Sequence, residues 1–334
     1  MNSMYEIKYH PKDISQLSFL VTGGAGFIGS NIVEYLLKYG AKKVRVLDNL
    51  ATGRLSNFDG FKDNTAFEFI KGDIRDLDTC RKACEGINYI SHQAALGSVP
   101  RSIKEPENTN AVNVDGFVNM LIAAKDEEVS RFVYASSSSV YGDEKSLPKV
   151  EEKIGSPLSP YAVSKYTNEL YGKVFQNVYG LQVVGLRYFN IFGPRQDPNG
   201  EYAAVIPLFV SKIMKRETVF IDGDGEQTRD FTFVENAVQA NVKAMLTDNA
   251  EVAGNVFNIA VGANFSVNQL YNQTQKLLAS DHKATYRAAR TGDIRNSLAD
   301  ISKAQRLFNY DPKFYFDQGL AITVSYFKEH FENN

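Results

Sequence analysis

The chain has 334 residues, of which 43% are hydrophobic and 23% charged, and a formal net charge of -2. That is an ordinary globular composition, with no overall field to draw in nucleic acid or an anionic membrane, so any phosphate recognition has to be local. Cys80 and Cys84 share a predicted helix with no His/Cys cluster nearby, no apolar run approaches the ~18 residues of a membrane span, and residues 1–16 carry no signal-peptide pattern, so neither a disulfide scaffold nor a metal site is expected and the expected setting is cytoplasmic.

Residues 1–16 read as an extension lying against the body. Leu17 to Thr22 is a short apolar run, the mark of a buried parallel strand. It leads directly into the glycine turn Gly23, Gly26, Gly29 and a helical pattern, Ser30 to Tyr39, closed by Gly40. Strand, glycine turn and helix together form a dinucleotide-binding context. Gly23 permits the tight turn, Gly26 lets backbone approach a pyrophosphate, and Gly29 lets helix pack on strand.

A second strand, Val44 to Asp48, ends on a carboxylate placed to bind the adenosine ribose hydroxyls and to repel a 2′-phosphate, which points to NAD rather than NADP. Asn49 and Gly53 belong to the same ribose-facing turn, with Arg54 beside it. Phe67 to Lys71 is strand three, and Asp73, at its exit, is a candidate acceptor for the adenine amino group. The spacing predicts a helix from Asp76 to Glu85. Tyr89 to Ala95 is strand four with its exit loop, and His92 reads as structural. Asn110 to Lys125 is a predicted helix with the apolar stripe Val114, Phe117, Val118, Leu121 and Ile122. Strand five, Arg131 to Ala135, ends in the serine run Ser136 to Ser139, followed by Val140, Tyr141 and Gly142.

Ser159 followed by Pro160 is a helix start, a capping hydroxyl before a proline at the first helical position. Tyr161 and Lys165 then lie four residues apart on one face of that helix. A nearby ammonium and the helix N-terminus both favour a phenolate, which would suit Tyr161 to general acid–base work. Leu181 to Arg187 is strand six. This alternation specifies a doubly wound parallel α/β sheet of Rossmann type, with ligands at the carboxyl ends of its strands. The motifs all fall on that edge.

After Asn190 the alternation weakens. Ala203 to Lys215 and Glu235 to Leu246 read as helices, Val219 to Ile221 and Arg229 to Val234 as short strands, and Asp300 to Phe308 and Phe316 to Phe331 as helices. The expected organisation is an NAD-binding body of residues 17–190 plus 235–261 and a smaller substrate-binding lobe of residues 191–234 and 262–334.

With these segments in hand the chain resembles the extended short-chain dehydrogenase/reductase family, and within it the nucleotide-sugar 4-epimerases. The likeness is carried by His92 to Ser102, Ser136 to Gly142, Ser159 to Lys165, Leu186 to Gly200 and Gly223 to Phe233. It is nearest to bacterial UDP-N-acetylglucosamine 4-epimerases of O-antigen and capsule pathways. The resemblance implies Tyr161 as the base at the sugar O4. It implies that Lys165 holds the nicotinamide ribose and lowers the tyrosine pKa, and that Ser137 bridges O4 and the phenol. It also implies cofactor contacts from Phe27, Ile28, Ile74, Gln93, Ala94, Ala95 and Tyr188, a tightly held NAD, and a 4-keto intermediate that turns over in the pocket.

Related dehydratases and decarboxylases place an acid between the equivalents of Ser137 and Tyr141; here Ser138 and Ser139 stand there. For the substrate, the resemblance implies Asn190 at the diphosphate or sugar, Val205, Phe209, Phe220 and Asp222 around uridine, Arg229 and Arg290 on the diphosphate, and Asp293 on the ribose. Ser297, where a large aromatic limits some relatives to plain sugars, leaves room for a 2-acetamido group, with Ser98, Ser138 and Ser139 offering hydroxyls. UDP-hexuronic and UDP-N-acetylhexosaminuronic acids are the alternative substrates. A homodimer is implied through the helices Asn110 to Lys125 and Ser159 to Tyr179.

Overall fold

The computed structural model describes residues 4–198, 203–289 and 295–331. In chain order, β1 (Ser18–Thr22), α1 (Phe27–Lys38), β2 (Lys43–Asp48), β3 (Phe67–Lys71), α2 (Leu77–Cys84), β4 (Tyr89–His92), α3 (Val99–Lys104), α4 (Pro106–Asn110) and α5 (Gly116–Asp126) precede β5 (Arg131–Ser137), α6 (Pro160–Tyr179) and β6 (Val183–Tyr188). Then come β7 (Ile191–Phe192), α7 (Val205–Met214), β8 (Phe220–Asp222), β9 (Thr228–Arg229), β10 (Thr232–Phe233), α8 (Val234–Leu246), β11 (Val256–Ile259), β12 (Phe265–Ser266), α9 (Val267–Leu278), β13 (Thr285–Arg287), α10 (Ser302–Phe308) and α11 (Phe316–Phe331).

Seven strands form one parallel sheet in the order β11-β6-β5-β4-β1-β2-β3. The order reverses beside β1, so the crevice that receives a dinucleotide opens there, at the carboxyl ends. In register, Thr22 lies beside both Leu47 and His92, and Ser137 beside Tyr188. The strand sequences are apolar because both faces are covered. One face packs α1 and α8 through Ile32, Leu36, Ala237 and Val238; the other packs α2, α5 and α6 through Cys84, Phe117, Leu121 and Phe175. Each Ile, Leu, Val or Phe among these contributes about 1.5–3 kcal/mol of burial. A third core, with Phe192, Phe209, Ile221, Leu270, Phe316 and Leu320, joins α7, α9 and α11.

Several expectations need correction. α1 starts at Phe27 rather than Ser30, so Gly29 lies inside its first turn. The predicted helix from Asn110 is interrupted by a π-helical segment, Ala111–Asp115. There the Asn113 side chain is drawn inward, donating to Leu96 O (3.2 Å) and Ser164 Oγ (3.1 Å) while accepting from Leu96 N–H (2.8 Å); a widened turn accommodates it. Phe117 and Leu121 of the apolar stripe are spent inside the core. The stretch expected as one strand at 229–234 is two short pieces, because the buried Asp230 carboxylate takes the N–H groups of Val261 (3.1 Å) and Gly262 (3.2 Å) and turns the chain. α10, expected with the lobe, packs against β11, with the Phe257 and Phe308 rings 5.0 Å apart.

Candidate active site

A cleft of about 620 Å³ runs along the carboxyl edge of the sheet. At one end Gly23 adopts φ +67°, and a Cβ there would stand 2.7 Å from the Ala94 nitrogen. A Cβ on Gly29 would stand 2.2 Å from Gly23 O, so the turn and helix meet only because both residues lack side chains. Gly26 caps α1 without any side-chain bond, and Gly23, Gly26, Phe27, Ile28 and Gly29 all line the cleft. The leading N–H groups of α1 are thus left for an anion.

Asp48 closes β2. Its carboxylate accepts from Leu50 N–H (2.7 Å) and Ala25 N–H (3.0 Å). Burial raises its pKa, and those two donors oppose the shift. Arg54, the nearby cation that a 2′-phosphate would use, is held on Asp197 at 2.7 Å. Asp73 does not line the cleft. Arg75 grips its carboxylate at 2.7 and 3.0 Å and Asn49 donates at 2.9 Å, which holds it well below the usual carboxylate range. Asn49, Ile74 and Arg75 line the cleft in its place. Gly53 also stands back, packed on Ala25, which a Cβ would meet at 2.8 Å.

At the other end, Ser159 Oγ caps α6 by accepting from Ala162 N–H at 3.1 Å, with Pro160 in the first helical position. This places Tyr161 and Lys165 in the cleft with Gln93, Ala94, Ala95, Ser137, Ser138, Tyr188 and Asn190. The expected action of the ammonium on the phenol is not direct here. Lys165 Nζ donates to Ala135 O at 2.8 Å and stands 6.0 Å from the centre of the Tyr161 ring. Burial raises the Tyr161 pKa, opposed by a hydrogen bond with Ser137, and burial lowers that of Lys165 to about 8. The reason is desolvation: both side chains are enclosed at the sheet edge, and each charged form loses its water. His92 is structural. Its Nδ1 is paired with Thr22 Oγ1 at 2.8 Å, its ring stacks on Phe132, and burial lowers its pKa to about 3.

Beneath this end lies a buried ion pair. Arg187 grips Glu169 at 2.9 and 2.7 Å, Ser136 donates to the same carboxylate at 2.6 Å, and the guanidinium stacks 4.9 Å from the Tyr141 ring.

A second cavity of about 230 Å³ joins the first at Asn190, which lines both and has φ +38°. Val205, Phe209, Phe220, Asp222 and Arg229 line it, together as the sequence places them. Lys212, Gln227 and Arg287 line it too and are not found from sequence. Arg287 lies on β13, pairs with Asp222 and stands 5.2 Å from the Phe220 ring; strand pairing of β13 with β8, invisible in the chain, brings it there. Asn108, Gln196 and Arg75 are likewise missed at the first cavity; Arg75, two residues beyond an acid at a strand exit, is the one with a local signal.

Three serines stand outside both linings. Ser98 spends its hydroxyl capping α3 on Arg101 N–H at 3.1 Å. Ser139 donates its N–H to Ser137 Oγ at 3.1 Å, and its own hydroxyl is buried. Ser297 is buried, its N–H on Thr228 O at 3.2 Å. Arg290 and Asp293 lie outside the described residues. Among the described residues no His/Cys/Asp/Glu group could hold a metal, and no helix is long and apolar enough to cross a membrane.

The first cleft therefore fits NAD: a glycine cradle that any Cβ would fill, an uncapped helix start, and a buried carboxylate where a 2′-phosphate would sit. Residues 19–260 match the NAD dependent epimerase/dehydratase family. A structure of UDP-N-acetylglucosamine 4-epimerase from Methanobrevibacter ruminantium, in complex with UDP-N-acetylmuramic acid, is 40% identical, with a TM-score of 0.89 over 95% of this chain and 99% of that one. UDP-glucose 4-epimerase of Mycolicibacterium smegmatis is 36% identical over 92% of this chain and 98% of its own length. UDP-glucuronic acid 4-epimerase from Bacillus cereus, solved with UDP-glucuronic acid and NAD, is 32% identical, with a TM-score of 0.87 over 94% of this chain and 100% of that one.

Proposed function

The chain belongs to the NAD-dependent epimerase/dehydratase family, and from that membership we propose that it is a cytoplasmic UDP-sugar 4-epimerase that interconverts UDP-GlcNAc and UDP-GalNAc, with weaker action on UDP-glucose and UDP-galactose. The observation that carries the choice is the neutral lining of the reacting end. Ser137, Ser138 and Tyr161 line it, and no acid stands between Ser137 and Tyr141. Elimination of a sugar hydroxyl needs such an acid. Among the described residues lining this cleft, Lys165 and Arg75 are the only cations; Arg75 is paired with Asp73, and Lys165 is the one assigned to Tyr161 and the cofactor. A sugar carboxylate would find no free cation there. Ser297, expected to leave room for the acetamide, lines neither cavity and carries no part of the choice.

Bound NAD supplies the hydride acceptor and donor at C4. The chain supplies the rest. Tyr161 takes the O4 proton as C4 is oxidised and returns it as C4 is reduced. Ser137 holds the O4 hydroxyl and the phenol in line. Lys165, charged below about pH 8, favours the phenolate once both reactants fill the cleft and water is excluded. Asn190, at the junction, orients the diphosphate; Phe209 and Phe220 frame the base, and Arg229 and Arg287 balance phosphate charge. Asp293 and Arg290 are proposed for the same subsite.

Incubating the pure protein with UDP-GlcNAc and following the sugar H4 resonance by NMR tests the assignment. Galacto-configured product is expected, and its absence refutes it. UDP-glucuronic acid and UDP-N-acetylhexosaminuronic acids run beside it test the second reading, favoured by the likeness to the Bacillus cereus enzyme. Faster turnover of the acids would select that reading. Tyr161→Phe is expected to fold and hold NAD while losing about 10³-fold in turnover. The exposed Val163, Leu170, Tyr171, Val174 and Val178 of α6 support a homodimer through that helix, which sedimentation would show.

A further inference from the structure

Asn241 lies on α8, fully buried, and lines neither cavity. Its amide nevertheless reaches two side chains that do line the cleft, Gln93 and Tyr188. Asn241 Nδ2 donates to the Ala237 carbonyl of its own helix at 2.8 Å, which fixes which end of the amide is the donor. Oδ1 then accepts from the Ser91 hydroxyl at 3.0 Å and from Gln93 Nε2 at 3.1 Å. Gln93 Nε2 also donates to Ser91 Oγ at 2.9 Å, so Gln93 Oε1 faces the Tyr188 hydroxyl, which donates to it at 3.1 Å. The remaining Nδ2 hydrogen closes the ring on the Tyr188 oxygen at 2.6 Å. The amide has two donor hydrogens and two main acceptor directions, and all are used. One helix carbonyl thus sets the direction of every proton in the ring.

We propose that Asn241 is a positioning residue for the cofactor-dependent reaction, fixing the orientation of Gln93 and Tyr188 at the cleft wall and holding Tyr188 as a neutral hydrogen-bonding group, so that Tyr161 is the phenol that exchanges protons. The proposal rests on NAD as the cofactor and not on which sugar is turned over. The two tyrosines share the edge of the sheet, Tyr188 being the register partner of Ser137. Their partners differ: Tyr188 is locked between Gln93 and Asn241, whereas Tyr161 has Ser137 as its polar neighbour, and both of those line the cleft. Burial also pushes the Tyr188 phenol up.

The test compares Asn241→Asp with Asn241→Leu and Ser91→Ala in the full chain. Aspartate keeps the shape of Asn but cannot donate, so Tyr188 turns its hydrogen to the introduced carboxylate and Gln93 Oε1 loses its partner. Leucine withdraws the amide from Gln93 and Tyr188 alike, so neither side chain is held from α8. NAD rebinding to stripped protein is expected to weaken about tenfold in both Asn241→Asp and Asn241→Leu, a single lost hydrogen bond's worth, with less than about threefold change in Ser91→Ala. Turnover in Asn241→Asp should fall with the UDP-sugar KM unmoved. Thermal unfolding is read beside both: NAD loss that tracks loss of stability across the variants, or wild-type NAD binding in folded Asn241→Asp, overturns the proposal. If Asn241→Asp does not fold, Tyr188→Phe opens the ring without burying a charge, and wild-type NAD affinity there overturns it equally. A wrong sugar assignment would show as wild-type protein inert toward UDP-GlcNAc, with the NAD ranking untouched.

Discussion

Gly26 and Gly29 stand in one turn, yet a methyl group at each should fail for different reasons. At Gly29 the Cβ would lie 2.2 Å from Gly23 O and 2.8 Å from Gly24 Cα. Ordinary van der Waals contact begins near 3.4 Å, so Gly29→Ala forces backbone apart by about 1 Å at the point where α1 rests on the turn. Overpacking of this kind costs about 1–3 kcal/mol. Spread between folding and the loop's shape, it should lower thermal stability by several degrees and NAD affinity by at least about tenfold. At Gly26 the one close atom is Gly23 O at 3.1 Å. The fold can absorb that contact, but the residue lines the cleft, so the methyl stands where a pyrophosphate must approach. Gly26→Ala should unfold within about 2 °C of wild type and still purify with little NAD. The assay is NAD released by acid per mole of protein, read beside thermal unfolding with and without added NAD. Wild-type stability and NAD content in Gly29→Ala would refute the packing argument. Equal loss of stability in both variants would refute the division of labour.

Other substitutions test the interior of the site. Lys165→Met should abolish turnover and stabilise the NAD-free fold at pH 7, because burial lowers the lysine from 10.5 to about 8, a penalty of roughly 3 kcal/mol on its charged form. Between those two values the unfolded chain binds more protons than the folded one, so wild-type stability climbs as pH rises through that window and the variant's advantage shrinks; denaturant titrations at pH 7 and 9.5 check this. Glu169→Gln leaves Arg187 buried without its counter-charge and should cost about 3–5 kcal/mol in chemical denaturation. Arg287→Ala should raise the KM for UDP-sugar about tenfold with kcat nearly unchanged, since Arg287 lines the second cavity and not the reacting end.

The sheet's carboxyl edge is legible in the chain because each element there announces itself locally. An apolar run ends in glycines at Gly23, in an acid at Asp48 and in serines at Ser137, and a parallel sheet then has to align those ends. The pairing of Tyr161 with Lys165 is legible as a helix face, but not as a contact. Four residues set the shared face, whereas the ammonium's partner, Ala135 O, comes from β5. Asp73 is legible as a strand-exit acid, yet its engagement by Arg75 and Asn49 depends on side-chain geometry that spacing does not encode. The second cavity is hardest to see. Arg287 reaches Asp222 only through the pairing of two three-residue strands, β8 and β13, and segments so short carry no periodic signal. Asn241 is hidden for another reason: a polar residue inside an apolar helix reads as a surface position until the sheet beneath it is known.

The last strand to join the main sheet has a consequence for how the protein is made. β11 pairs with β6, although every other strand of that sheet has left the ribosome long before residues 256–259 emerge. Until then Val183–Tyr188 is an open flank, six residues that end up buried, the charged Arg187 among them, with unpaired amides and carbonyls offered to any passing strand. The main sheet therefore stays open on this flank until residues 256–259 have emerged. It stays adhesive until the chain has passed through residues 191–255 and come back.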